Sequence, residues 1–152
     1  MFFNLTGNIY GNSSKDQFKV LHSEIIEYFQ CIEYDLKRIY AGMSTDDYDD
    51  FDDAMDMLEN SNLGNTFRKL RKLDHSDGDP WLSESDYEQL NRIRELRNYW
   101  VHQCYLDYVY ISDNYQQERK FQHILNRLTN DHNRVFNLHQ KLENLYFDWF
   151  GD

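Results

Sequence analysis

The chain has 152 residues, 40% of them hydrophobic and 16% aromatic, and carries a net charge of −11. That is the size of one ordinary domain, long enough to bury a core without disulfides or a structural metal and too apolar to stay disordered. The acidity argues against broad electrostatic capture of nucleic acid, and two cysteines make no disulfide framework.

One proline and six glycines punctuate the whole chain. So few breakers favour long helices over many short strands. The opening MFFNLTGNIYGN has neither a basic n-region nor a long apolar run, so it does not read as a signal peptide. No stretch approaches the ~20 apolar residues of a membrane span. Cys31 and Cys104 fall on largely apolar helical faces and read as free thiols. The expectation is a cytoplasmic protein with no membrane contact.

Residues 1–12 read as an irregular N-terminal arm. A first helix follows from about Ser14 to Ala41, capped by Ser13 or Ser14. Its stripe is Phe18, Leu21, Ile25, Phe29 (or Tyr28), Ile32, Leu36 and Ile39, and Gly42 reads as its stop. A second helix is expected over 46–62, capped by Ser44 or Thr45, with Phe51, Met55 (or Ala54) and Leu58 inward. Eight acids crowd it: Asp46, Asp47, Asp49, Asp50, Asp52, Asp53, Asp56 and Glu59. Taking these away from −11 leaves −3 for the rest. Acids suit the first turns of a helix, where the dipole is positive, so the run reads as a solvated face or as a docking surface for a basic partner. It lacks the glycine and closing glutamate of a calcium loop.

A short amphipathic helix follows in NTFRKLRKL. Phe67, Leu70 and Leu73 point inward, and Arg68, Lys69, Arg71 and Lys72 make the main basic patch. Asp74–Pro80 reads as a turn-rich linker. Ser83 and Asp86 form a capping-box pattern for a helix expected to reach Tyr108, with core stripe Leu90, Ile93, Leu96, Trp100 and Cys104. A last helix begins near Asn114, capped by Ser112 or Asp113, and continues to Phe150. Its stripe is Phe121, Ile124, Leu128, Val135, Leu138, Leu142, Leu145 and Trp149, interrupted at Asp131, where Asn130-Asp131 suggests a kink. Such a length suggests that its end packs on another subunit. Together these elements predict a single all-α domain, an antiparallel up-and-down four-helix bundle with an extra short helix.

The chemistry concentrates in RELRNYWVHQCY, residues 94–105. At about 100° per residue, Arg94, Arg97, Asn98, His102 and Tyr105 line one broad polar strip beside the core stripe. Asn98 and His102, four apart, can touch; Arg97 and His102 flank the strip. The combination suits phosphodiester chemistry without a metal. Arginine offers a planar fork of donors that stays charged at neutral pH. Histidine exchanges protons near neutral pH with a ribose 2′-hydroxyl or a leaving oxygen, and asparagine orients either group. The product would be a 2′,3′-cyclic phosphate. The plainer reading pairs Arg97 with a carboxylate such as Glu33 or Asp35 and leaves His102 in a packed interface. Nucleotide binding without cleavage is a third use of the strip.

The run LRNYWVH resembles the signature of the HEPN superfamily: an arginine, a polar residue directly after it, and a histidine after a short spacer, here Arg97, Asn98 and His102. The all-helical architecture is similar too, although only the short motif is specific. The resemblance implies a homodimer in which two motifs meet. It also implies a metal-independent endoribonuclease, often a toxin or defence component paired with a protein antitoxin, or else a binding module that has lost catalysis. On that reading Arg97 binds the scissile phosphate, His102 is general base or acid, Asn98 positions them, and Arg94 and Tyr105 contact the RNA. The chain departs from one subgroup, in which a tyrosine stands two residues after the histidine. Cys104 holds that place here and tyrosine comes one later at Tyr105, which argues against that subgroup and against nucleotide transfer to Tyr105. No cofactor is expected. His22, His75, His123, His132 and His139 suggest no metal set by spacing, since His132 and His139, seven apart, would need ligands from elsewhere.

Overall fold

The computed structural model describes residues 9–45 and 48–151. Among them are five helices and no strand: α1 (Ile9–Ser44), α2 (Tyr48–Leu58), α3 (Leu63–Asp74), α4 (Glu84–His102) and α5 (Asn114–Phe150). No helix is long and apolar enough to cross a membrane.

The two long helices form the frame. At ~1.5 Å per residue α1 and α5 each span roughly 55 Å, and they meet along most of that length. Phe18 touches Phe121, Glu24 bonds His132, Asp35 meets His139 and Arg38 covers Tyr146. Residue numbers rise together, so α1 and α5 run parallel. The short α3 is a pass of its own between α2 and α4, and this fifth pass turns an antiparallel first–last pair into a parallel one. α4 runs against α5, with Asp86 bonded to Lys141 at one end and Trp100 to Asp131 at the other.

The expected stripes form the core. Phe18, Ile25, Phe29, Ile32, Leu36 and Ile39 are buried, as are Leu90, Ile93, Trp100 and Cys104, and so are Phe121, Ile124, Leu128, Val135, Leu138 and Leu142. Leu63 from α3, Leu82 from the segment before α4 and Tyr87 from the start of α4 join them. Among the α2 residues whose side chains are described, only Leu58 is fully buried.

Several boundaries differ from expectation. α1 starts at Ile9, so Ser13 and Ser14 lie inside it rather than capping it. Residues 1–8 of the expected arm lie outside the described residues. α1 also passes through Gly42 to Ser44. The glycine is needed for space, since a Cβ there would stand 2.6 Å from the Phe150 ring. The Ser44 and Thr45 hydroxyls do not cap α2 but donate back to the Ala41 carbonyl, at 3.2 and 2.6 Å, satisfying an orphan acceptor at the end of α1. Asp46 and Asp47, the expected start of the second helix, lie outside the described residues.

Both later caps hold as expected. Ser83 accepts from the Asp86 backbone N–H while the Asp86 carboxylate accepts from that of Ser83. The Asp113 side chain accepts from Gln116 N–H at 2.8 Å. α5 is continuous through Asn130-Asp131, because Asp131 points inward as the acceptor for the Trp100 indole N–H at 2.9 Å. The end of α5 packs on its own chain: Trp149 lies against Trp81 with ring centroids 3.6 Å apart, and Phe150 reaches Trp81 and Gly42. Trp149 is therefore a half-exposed stacking partner rather than a core residue.

Candidate functional site

The strip lies on the C-terminal half of α4, which ends at His102, six residues short of the expected Tyr108. Trp100 and Cys104, on either side of this helix end, are both buried. The Tyr99 carbonyl accepts from both Gln103 and Cys104 N–H, which closes the helix without a glycine. The following turns are tied by side chains. The Asp107 carboxylate accepts from Gln103 and from the Tyr99 hydroxyl, and these bonds hold its carboxyl below the usual range. Gln117 donates to the Tyr108 and Val109 carbonyls.

Arg94, Asn98 and His102 follow one another at four-residue steps and are all exposed. Among the described residues no hydrogen bond or ion pair engages the side chain of Asn98 or His102. Arg97 sits to the side, half-buried against α1, with Nη1 3.1 Å from Glu33 Oε2. Glu33 also lies 3.8 Å from Lys37. The plainer reading of Arg97 thus describes its position in this structure, and its guanidinium keeps further donors for another acceptor.

Tyr105 departs from the expected strip because the helix ends before it. Its ring packs edge-on against Phe18 and His22 and beside Tyr108, and burial raises its hydroxyl above the ordinary range. Burial also pushes the neighbouring Cys104 thiol up to about 11, so it is an inert core group rather than a nucleophile. Cys31 is half-buried, and both cysteines are free.

His22 was not singled out by spacing. Its ring stacks on Phe18, and Nε2 lies 2.6 Å from the Trp100 carbonyl. A carbonyl can only accept, so Nε2–H donates, closing one of the orphan acceptors at the end of α4. His22 is a positioning residue that ties the strip's helix to α1. The partner is 78 residues away, and no local signal marks it.

Two surfaces border the strip. On one side a groove of about 140 Å³ between α3 and α4 is lined by Leu63, Gly64, Phe67, Arg68, Asn91 and Arg94, so the basic patch and the strip share an edge. Val101 within the strip, and Leu106, Val109 and Tyr110 after its C-terminal end, expose apolar surface, Tyr110 being 81% exposed. Such a patch beside polar groups suits a protein contact. Away from this face, donor atoms of Asp35, His139 and Glu143 lie within 4.8 Å of one another. Burial raises the Asp35 carboxyl above its usual range, against the opposing pull of Arg38 and His139.

No protein-family model, no curated protein and no solved structure matches the chain.

Proposed function

We propose that the chain is a metal-independent endoribonuclease of the HEPN kind, a toxin or defence component of a prokaryotic system, acting as a homodimer through the Arg97–His102 strip. The observation that carries this reading is the outward presentation of Arg94, Asn98 and His102 on one face of α4, continuous with Arg68 across the α3–α4 groove. An RNA backbone laid along that edge meets cations first and the histidine last.

The chemistry follows from the groups. Arg97, held by Glu33 on one side, offers its remaining N–H donors to the scissile phosphate and stabilises charge as it develops there. His102 removes the proton of the ribose 2′-hydroxyl, whose oxygen attacks phosphorus, and the 5′-oxygen of the next nucleotide leaves with a proton. In the proposed dimer the second copy's histidine supplies that proton. The apolar surface of Val101, Leu106, Val109 and Tyr110 suits a second copy, whose approach removes the strip from water. Overall acidity is compatible with RNA because the acids concentrate elsewhere: Asp50, Asp52, Asp53, Asp56 and Glu59 are exposed on and beside α2.

The test incubates purified wild-type, Arg97→Ala and His102→Ala protein with tRNA and mRNA in EDTA and reads fragments and their 3′ ends. Cleavage by wild type alone, leaving cyclic phosphate, is the expected result. Equal cleavage by His102→Ala would overturn the assigned role.

A second reading has its own observation. The closed Glu33–Arg97 pair and the acid-covered α2 suit a non-catalytic interaction module that docks a basic partner such as an antitoxin. Co-purification from the native host, lost when α2 charges are reversed, would favour it.

A further inference from the structure

We propose that Asp35, His139 and Glu143 bind a divalent transition-metal ion, with Zn²⁺ as the best match, bridging α1 and α5. The donors come from two helices. His139 and Glu143 stand one turn apart on α5, and Asp35 faces them from α1. Asp35 Oδ2 lies 3.4 Å from His139 Nδ1, and Glu143 Oε2 lies 3.1 Å from His139 Nε2. Ligands ~2.0–2.2 Å from a tetrahedral zinc stand roughly 3.3–3.6 Å from each other, so the Asp35–His139 spacing already fits, while Glu143 has to leave the Nε2 side. The imidazole presents one nitrogen to each carboxylate. The ion takes the Nδ1 side, and Glu143, the more exposed carboxylate with 38% of its side chain accessible, turns to complete the set.

The second observation is the lack of partners. Asp35 is 2% exposed and His139 8%, yet Asp35 Oδ2, His139 Nδ1 and Arg38 Nε have no hydrogen-bond partner among the described residues. Buried groups of this kind are nearly always satisfied. Arg38 binds the other oxygen of Asp35 at 2.9 Å, which fixes the carboxylate and leaves Oδ2 facing the histidine. The charge is also short of cations. Asp35 and Glu143, with Glu27 on the rim, face the single guanidinium of Arg38. A dication would neutralise the excess. Entry is open through a groove of about 440 Å³ lined by Cys31, Tyr34, Asp35, Arg38, Glu143 and Phe147.

The donor set selects the ion. One imidazole nitrogen and two carboxylates suit Zn²⁺, Mn²⁺ or Fe²⁺, whereas Ca²⁺ and Mg²⁺ prefer all-oxygen shells. Three protein ligands leave a position for water. A proton on His139 is the competing occupant, since an imidazolium between two carboxylates answers the same charge. The site is independent of the ribonuclease reading. Glu33 and Asp35 sit two residues apart on α1 and face α4 and α5 respectively.

The experiment titrates Zn²⁺ into the full-length, metal-stripped chain by calorimetry, with melting temperature and the visible spectrum of the Co²⁺ form as further readouts. The expected result is one ion per chain at micromolar affinity and a rise in melting temperature of roughly 5 °C with excess zinc. Binding should be lost in Asp35→Asn and His139→Gln, weakened about tenfold or more in Glu143→Gln, and unchanged in His132→Gln and His102→Ala. If the two buried substitutions unfold the chain, the exposed Glu143→Gln decides, and undiminished binding there overturns the site. No uptake by folded wild type at 100-fold excess zinc would overturn it too and assign the cluster to the proton. Retained binding in His139→Gln would mark surface capture and do the same. RNA cleavage in EDTA is read separately, so either proposal can fail alone.

Discussion

The two ends of α4 spend their polar groups differently. At the N-terminal end the buried carboxylates are used within the fold. Asp74, 2% exposed, accepts from the Trp81 and Leu82 backbone N–H groups at 2.7 and 3.2 Å and from the Tyr87 hydroxyl, whose proton is held well above the usual range by burial and that carboxylate. Asp86 completes the capping box and receives Lys141 at 2.6 Å. At the C-terminal end Arg94, Asn98 and His102 point outward, and among the described residues only Arg97 of these has an ion partner. Carboxylates satisfied by backbone N–H groups hold a fold. Exposed donors without partners have their hydrogen-bonding capacity free for another molecule.

That contrast predicts that the two ends separate stability from activity. The largest effect falls at the open end. His102→Ala should lower RNA cleavage by roughly 10²–10⁴-fold while leaving the urea midpoint unchanged, because the exposed side chain makes no hydrogen bond, ion pair or ring contact among the described residues. A comparable loss of stability would erase the distinction. At the closed end, Asp74→Ala strands two backbone donors and a tyrosine hydroxyl. It should cost about 3 kcal/mol or more in denaturant unfolding, with cleavage per folded molecule unchanged.

Acid sharpens the same comparison. Burial alone would raise Asp86, but hydrogen bonds from Lys141 and Ser83 overcome it, and its carboxyl lies below the usual range. A depressed carboxyl stabilises the fold fully above the ordinary aspartate value of about 4, and that contribution fades as pH falls through the lowered folded value. Urea midpoints measured from pH 6 to pH 2 should fall less steeply in Asp86→Asn than in wild type. The smallest effect concerns Glu33. Glu33→Gln removes a half-exposed pair and should cost under about 1 kcal/mol of stability. It should lower KM for RNA without raising kcat, because an unpaired Arg97 binds substrate and transition state alike.

What could be read from the chain alone follows the range of each interaction. The capping box at Ser83 and Asp86 and the Asp113 cap are settled within three residues. The core stripes repeat every three or four. Glu33 as a partner for Arg97 was open to sequence reasoning, because the stripes on both helices show which faces meet. The end of α4 at His102 was not, since no glycine or proline marks it. The helix stops where the Tyr99 carbonyl closes on both Gln103 and Cys104 N–H and where His22, far away in the sequence, takes up the Trp100 carbonyl.

Asp131 shows the limit most plainly. As a sequence feature it is a polar break in an apolar stripe, and a kink is the natural reading. In the fold it is the buried acceptor of an indole 31 residues away, and α5 continues through it without a break. Gly42, likewise, is set by a ring more than a hundred residues later. Composition and periodicity determined by themselves that this chain is an all-helical bundle and which faces of its helices are buried, because burial of a repeating apolar stripe needs no knowledge of the partner. The parallel course of α1 and α5, the place of each buried aspartate and the meeting of Asp35 with His139 were decided only by the tertiary structure. Those depend on which residues, distant in sequence, end up sharing one dry space.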